Sequence, residues 1–233
     1  MHELQRARFL PRQAPLENIL SVAVHELRPG IWHWTAPHPD WGPEEWWPEV
    51  VSSYAIELGD DFVLFDPLAV PAELRERATA VALTAPYHER DARSLGLPVH
   101  TPPADTWQDW VEKFGVAPEK VRGMESDDLA WLRAGEGEGQ FHGPGPWPFG
   151  IEAHAGREDN DLVLWIPAVS AIVSGDTLSD FGDGLSIQMG GRTHQTPAQV
   201  AAQLRPLLDL PVELVLPAHG GPLDRAALER ALA

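Results

Sequence analysis

The stretch "LTAPYHERDA" (83–92) packs His88, Glu89, Arg90 and Asp91 into four consecutive positions. Asp176 in "SGDTL" and His219 in "PAHGG" follow apolar runs later in the chain. With no cysteine in the sequence, imidazole and carboxylate groups are what remains to hold a divalent metal, and such an ion brings the pKa of a bound water to about 7. Without a metal, the same groups serve as general acid and base. Arg90 adds a guanidinium, which has no lone pair for a metal and beside Asp176 only neutralises charge. A buried carboxylate needs a positive partner, so the sequence poses a choice for Asp176 between an ion and Arg90.

These residues stand where predicted strands end. "HELRPGIWHWTA" predicts a turn at Pro29-Gly30 and a strand through Trp34. "SSYAIELGDDFVLFDP" predicts a hairpin in which Tyr54, Ile56 and Leu58 alternate to one face, Gly59-Asp60-Asp61 turn, and 62–65 return. "PAELRERATA", with Pro71 in its first turn, reads as a helix leading into the strand "VALT", so the His88 loop follows a strand's C-terminal end. "DTWQDWVEKFG" places Trp107, Trp110, Val111 and Phe114 at helical spacing between a Thr106 cap and Gly115, which predicts a core-facing helix. The Gly- and Pro-dense segment 133–150 predicts a long loop between two halves. Beyond it, "IEAHAG", "DLVLWIP", "SAIVSGD" and "VELVLPAHG" read as strands. "TPAQVAAQLRPLL", opened by a Thr196/Gln199 capping box, and "PLDRAALERALA" read as helices.

At 233 residues and 43 % hydrophobic content the chain supports one large core, here 21–233 after an N-terminal extension at 1–20. Its 35 acidic against 17 basic residues give a formal charge of −18 with no basic tract, so nucleic acid and anionic membrane surfaces are excluded as partners. No run approaches the roughly 20 apolar residues of a membrane span. The expectation is a soluble, cytoplasmic protein with a small-molecule partner, alone or as a homodimer.

The order of elements, with "VLFDP", "SAIVSGDTL" and "VLPAHGGP" along it, resembles the metallo-β-lactamase superfamily over roughly 21–225. The resemblance implies an α/β fold, a four-layer αββα sandwich in a single domain, with the site on one edge where loops of both halves converge. In that family the strand corresponding to "VALT" is followed by His-x-His-x-Asp-His. Here the register reads Ala85-Pro86-Tyr87-His88-Glu89-Arg90: both histidines of the first metal site are replaced, Glu89 stands for the aspartate and Arg90 for the last histidine. The family's middle ligand, a histidine in a Gly-His-Thr-like turn before "DLVLW", has only His154 near it, about three residues too early. Asp176 and His219 match the bridging and final ligand positions.

The resemblance thus implies a hydrolase of an ester, thioester or amide with at most one metal (zinc, manganese or iron). Asp176, His219, His88 and Glu89 are its candidate ligands, and His88, Arg90 and Asp176 the catalytic candidates. The alternative is a non-catalytic, metal-free member in which Arg90 pairs with Asp176 and a Trp-rich cleft binds a small molecule or protein. A third reading, an iron redox protein, conflicts with the incomplete ligand set. Trp32, Trp34 and Trp41, with Trp46 and Trp47, are the candidate substrate-binding rim; packing of a Pro-rich loop and a dimer contact are the alternatives. His33 and His38 there are weak metal candidates. Asp66 is expected to tie a turn beneath the site, and Asp91 to cap a helix.

Overall fold

The computed structural model describes residues 23–122, 127–190 and 194–233. The extension at 1–20 lies outside the described residues. Seven strands form a first sheet in chain order: β1 (His25–Arg28), β2 (Ile31–Pro37), β3 (Val50–Leu58), β4 (Asp61–Phe65), β5 (Ala80–Ala82), β6 (Val99–Thr101) and β7 (Gly139–Phe141). It is antiparallel from β1 to β4 and parallel from β4 to β7. The second half adds β8 (Gly145–Pro146), β9 (Glu152–Glu158), β10 (Asp161–Ile166), β11 (Ala171–Gly175), β12 (Leu178–Asp180), β13 (Leu185–Ile187), β14 (Leu214–Pro217) and β15 (Leu223–Asp224). A second sheet runs β15-β14-β11-β10-β9-β8, and β12 and β13 form a separate hairpin. Segment 133–150 is therefore more than a loop: it supplies β7 to one sheet and β8 to the other.

The period of two along each strand explains the layering. Ile56, Val63 and Phe65 of the first sheet meet Leu162, Leu164 and Ile166 of the second in one core between the sheets. The alternate residues Leu64 and Val81 face outward beneath the helices α1 (Ala72–Arg75), α2 (Ala92–Leu95) and α5 (Ala130–Arg133). Val163 and Trp165 likewise face α6 (Pro197–Leu204) and α7 (Arg225–Ala231). Both faces of β10 are thus covered, which is why "DLVLWI" is apolar without alternation. The result is the αββα sandwich. Truncating Leu164 to alanine in that core costs about 2–5 kcal/mol.

The capping box of Thr196 and Gln199 forms at α6, as its sequence predicts. The helices α3 (Trp107–Phe114) and α4 (Pro118–Val121) pack on each other. The α3 helix is bounded by Thr106 and Gly115 as expected, yet each of its residues keeps some exposure, which corrects the expectation of a core-facing helix. Hydrogen bonds join the sheets at one edge: Tyr54 Oη donates to Pro217 O (2.8 Å), Ser52 Oγ to Gly220 O (2.7 Å) and Leu162 N to Thr84 O (2.8 Å). Among the described residues, no helix is long and apolar enough to cross a membrane.

Candidate active site

The loops after β4, β5, β11 and β14 and the end of β9 meet at that edge, bringing Asp66, His88, Arg157, Asp176 and His219 together. Asp176 is at the centre. Its Oδ1 lies 3.3 Å from His88 Nε2 and 3.6 Å from His219 Nε2, and its Oδ2 accepts a 3.2 Å hydrogen bond from Arg157 Nη2. Gly175 before it has φ +53°, and a Cβ there would meet Thr84 Oγ1 at 2.5 Å, so this turn requires glycine.

His88 is held from behind. Its Nδ1 lies 3.0 Å from Asp66 Oδ2 and 2.9 Å from Thr84 Oγ1, while Asp66 Oδ1 accepts from Thr84 N (2.9 Å). Asp66 therefore ties the turn beneath the site, as expected. Burial disfavours the imidazolium, but Asp66 and Asp176 outweigh it and raise His88 to about 9. For Asp176 burial opposes ionisation, and His88 and Arg157 overcome it, holding the carboxyl far below its usual range. His219 goes the other way: burial prevails over Asp176 and lowers it to about 4. At neutral pH an imidazolium and a neutral imidazole thus flank one carboxylate.

Arg90 does not occupy the place expected of it. Its Nη1 donates to Asp66 O (2.8 Å) and Ser52 O (3.3 Å), and the guanidinium on Asp176 is that of Arg157. Glu89 is turned away: its carboxylate accepts from Leu129 N and Trp131 Nε1, both at 2.6 Å, which fastens α5 to the loop. Asp91 accepts from Ala69 N (2.6 Å) and makes no side-chain cap on α2.

Of the tryptophans, Trp34 is wholly buried in the layer between the first sheet and its helices, donating to Leu68 O (2.8 Å). Trp32 lies on that same outer face under Arg77. Neither lines the cleft, because β2 turns both away from the edge. Trp41 supports the rim by donating to Trp47 O (2.8 Å). The lining is formed by Trp46, Trp47 and His38. His33 faces Ser52 Oγ (3.0 Å), and His154 sits within β9 opposite Val163.

Two cavities flank the Tyr87 and Arg157 side chains. One of about 290 Å³ holds His88, Asp176 and His219. The other, of about 390 Å³, has Trp46, Tyr87, Trp110, Phe114 and Met189 on its walls alongside charged side chains that include Arg157, Glu158 and Asp161. The face of α3 that its sequence assigned to the core lines this second cavity.

The chain is similar in structure to the DIM-1 metallo-β-lactamase, at 14 % identity and a TM-score of 0.59, over 91 % of this chain and 94 % of that one. A metallo-β-lactamase from Hirschia baltica gives 17 % identity and 0.56 over 91 % and 96 %. A metallo-β-lactamase family protein from Thermus thermophilus gives 17 % and 0.55 over 88 % and 78 %. The chain has the metallo-β-lactamase fold. No protein-family model and no curated protein matches it.

The sequence offset of His154 points to another residue of the same strand. Arg157 lies three residues beyond His154, the offset by which that histidine was out of register. The signal was "GRED", whose Gly156 and Arg157 close strand β9 just before "DLVLW". The remaining donors do not fit a metal: Glu89 is engaged by Leu129 N and Trp131 Nε1, and the guanidiniums of Arg90 and Arg157, which have no lone pair, stand at the same edge. Among the described residues, no group of three or more His, Asp or Glu side chains is arranged to hold an ion.

Proposed function

We propose that the cleft is a metal-independent site for a small, uncharged molecule that enters past Trp46 and Trp47 and donates a hydrogen bond to Asp176. The charge arrangement supports this reading. Among the described residues His88 and Arg157 pair with Asp66, Asp161 and Asp176, and Arg90, bonded to the main-chain carbonyl of Asp66, adds a third cation beside these three carboxylates. An ionised ligand would bring an uncompensated charge into a site already balanced, at a cost of several kcal/mol. Asp176 Oδ1 is buried with only the long approaches of His88 Nε2 (3.3 Å) and His219 Nε2 (3.6 Å), so a hydroxyl or amide N–H that comes closer suits it. The indoles of Trp46 and Trp47 in the Asp176 cavity suit an apolar body.

A second reading, hydrolysis of an ester, thioester or amide, is favoured by the opposite protonation of His88 and His219 beside one carboxylate. Environments that push two pKa values apart separate an acid from a base without an ion. The superfamily resemblance points to the same reaction class.

The test is a thermal-shift and tryptophan-fluorescence screen of neutral and ionised small molecules in chelator, followed by ester and thioester turnover. Neutral hydrogen-bond donors should bind, and binding should be lost in Asp176→Ala. Binding confined to charged compounds, or dependent on added metal, overturns the proposal. Chelator-resistant turnover lost in both His88→Gln and His219→Gln establishes the second reading.

A further inference from the structure

The carboxylates of this site have a cation that is part of the chain. Arg157 is 8 % exposed, and its guanidinium is engaged on every nitrogen. Nε donates to Asp161 Oδ2, Nη1 to Gln188 O (3.1 Å), and Nη2 to both Tyr87 Oη (2.6 Å) and Asp176 Oδ2 (3.2 Å). Tyr87 in turn donates to Asp161 Oδ2 at 2.5 Å. Arginine's planar fork is suited to bridging two carboxylates in this way.

The backbone beneath is built for it. Arg157 N donates to Thr177 Oγ1 (3.1 Å), and Thr177 Oγ1 donates to Asp161 Oδ1 (2.9 Å). A Cβ on Gly156 would lie 2.2 Å from Thr177 Oγ1 and 2.3 Å from Asp161 O, so glycine alone lets the strand approach this closely. These contacts fix Arg157 from both its main chain and its side chain.

We propose that the Arg157 guanidinium is a covalently attached substitute for a metal ion: with Tyr87 it fills the position, neutralises Asp176 and Asp161 together, and closes the site to an ion. This rests on the reading that the cleft works without a metal, and adds that one side chain is what makes it so. Removing the guanidinium should therefore turn a metal-indifferent protein into one that gains from a divalent ion.

The experiment compares the full chain with Arg157→Gln and with Tyr87→His/Arg157→His, which sets two imidazoles beside Asp176. Zinc content is read by elemental analysis after equilibrium dialysis, and melting temperature with zinc or chelator. The wild type should hold no stoichiometric zinc and melt at the same temperature in both. Arg157→Gln should melt lower in chelator and recover part of the loss with zinc. The double variant should hold about one zinc per chain, lost on adding Asp176→Asn.

If the wild type itself holds about one zinc dependent on Asp176, this proposal and the metal-independent reading both fall. If the wild type is metal-free and both variants fold without gaining zinc or zinc-dependent stability, this proposal alone falls. It falls equally if both variants fail to fold in zinc as well as in chelator, because an ion then does not replace the guanidinium.

Discussion

His88 and Asp66 are joined at 3.0 Å, Nδ1 to Oδ2, with side chains only 5 % and 3 % exposed. This contact and the one to Asp176 make His88 an imidazolium in the folded chain. Its pKa is raised from 6.5 to about 9, so its stabilising contribution is complete below 6.5 and is lost as pH rises through 9. His219 and His33 are lowered to about 4; their contributions are present above 6.5 and are lost as pH falls through 4. Asp176, held low, acts in the same direction at more acid pH.

Melting temperature should therefore peak near about pH 6.5 and fall on both sides. His88→Gln should flatten the alkaline limb between 6.5 and 9, which is worth roughly 2–4 kcal/mol in the wild type. His219→Gln should leave that limb intact and weaken the acid one. A His88→Gln profile parallel to the wild type above pH 6.5 would show that the imidazolium is not buried as described.

Asp176 is paired with Arg157 at 3.2 Å, whereas Arg90 donates to main-chain carbonyls. Arg157→Met should cost about 3–5 kcal/mol, since it leaves buried Asp161 without its cation and Asp176 with His88 alone. Combined with Asp176→Asn it should cost less than the sum, with a coupling of at least about 1 kcal/mol. Arg90→Met combined with Asp176→Asn should be closer to additive. Denaturant titration of the two cycles checks this, and a larger coupling for Arg90 would reverse the assignment.

The alternation of Tyr54, Ile56 and Leu58, the apolar run of β10 and the capped helix α6 were legible because each follows from local periodicity or capping. Asp176 and His219 were legible as residues that end apolar strands. The cation beside Asp176 was not. Arg90 is near the site in sequence, but its left-handed backbone (φ +40°) sends its guanidinium to the carbonyls of Ser52 and Asp66. Arg157 lies in a strand read as ending before it. The helix α3 shows a related limit: apolar spacing says that a face meets something apolar, and here Trp110 and Phe114 meet a cavity.

Glu89 stands at a ligand position in sequence, yet it bonds to Leu129 N and Trp131 Nε1. Glu89→Ala should destabilise by roughly 1–3 kcal/mol, because it leaves a buried amide and indole N–H without acceptors. Ligand affinity in the Asp176 cavity should change less than about threefold, that is, by under 1 kcal/mol. Loss of binding at full stability would place Glu89 in the cleft.

Gly175 links backbone geometry to the charge on His88. An alanine there adds left-handed strain at φ +53° and sets its Cβ 2.5 Å from Thr84 Oγ1. Thr84 is not free to move aside, because that hydroxyl is bonded to Asp66 Oδ2 (2.7 Å) and lies 2.9 Å from His88 Nδ1. Gly175→Ala should therefore cost about 2 kcal/mol or more and displace Thr84 from Asp66 and His88. As those contacts loosen, the imidazolium loses carboxylate support, and the His88 pKa should fall from about 9 toward 6.5. The His88 ring titration, followed by NMR in wild type and variant, reads this directly. An unchanged titration in a destabilised variant would show that the Asp66 contact does not depend on the Gly175 turn.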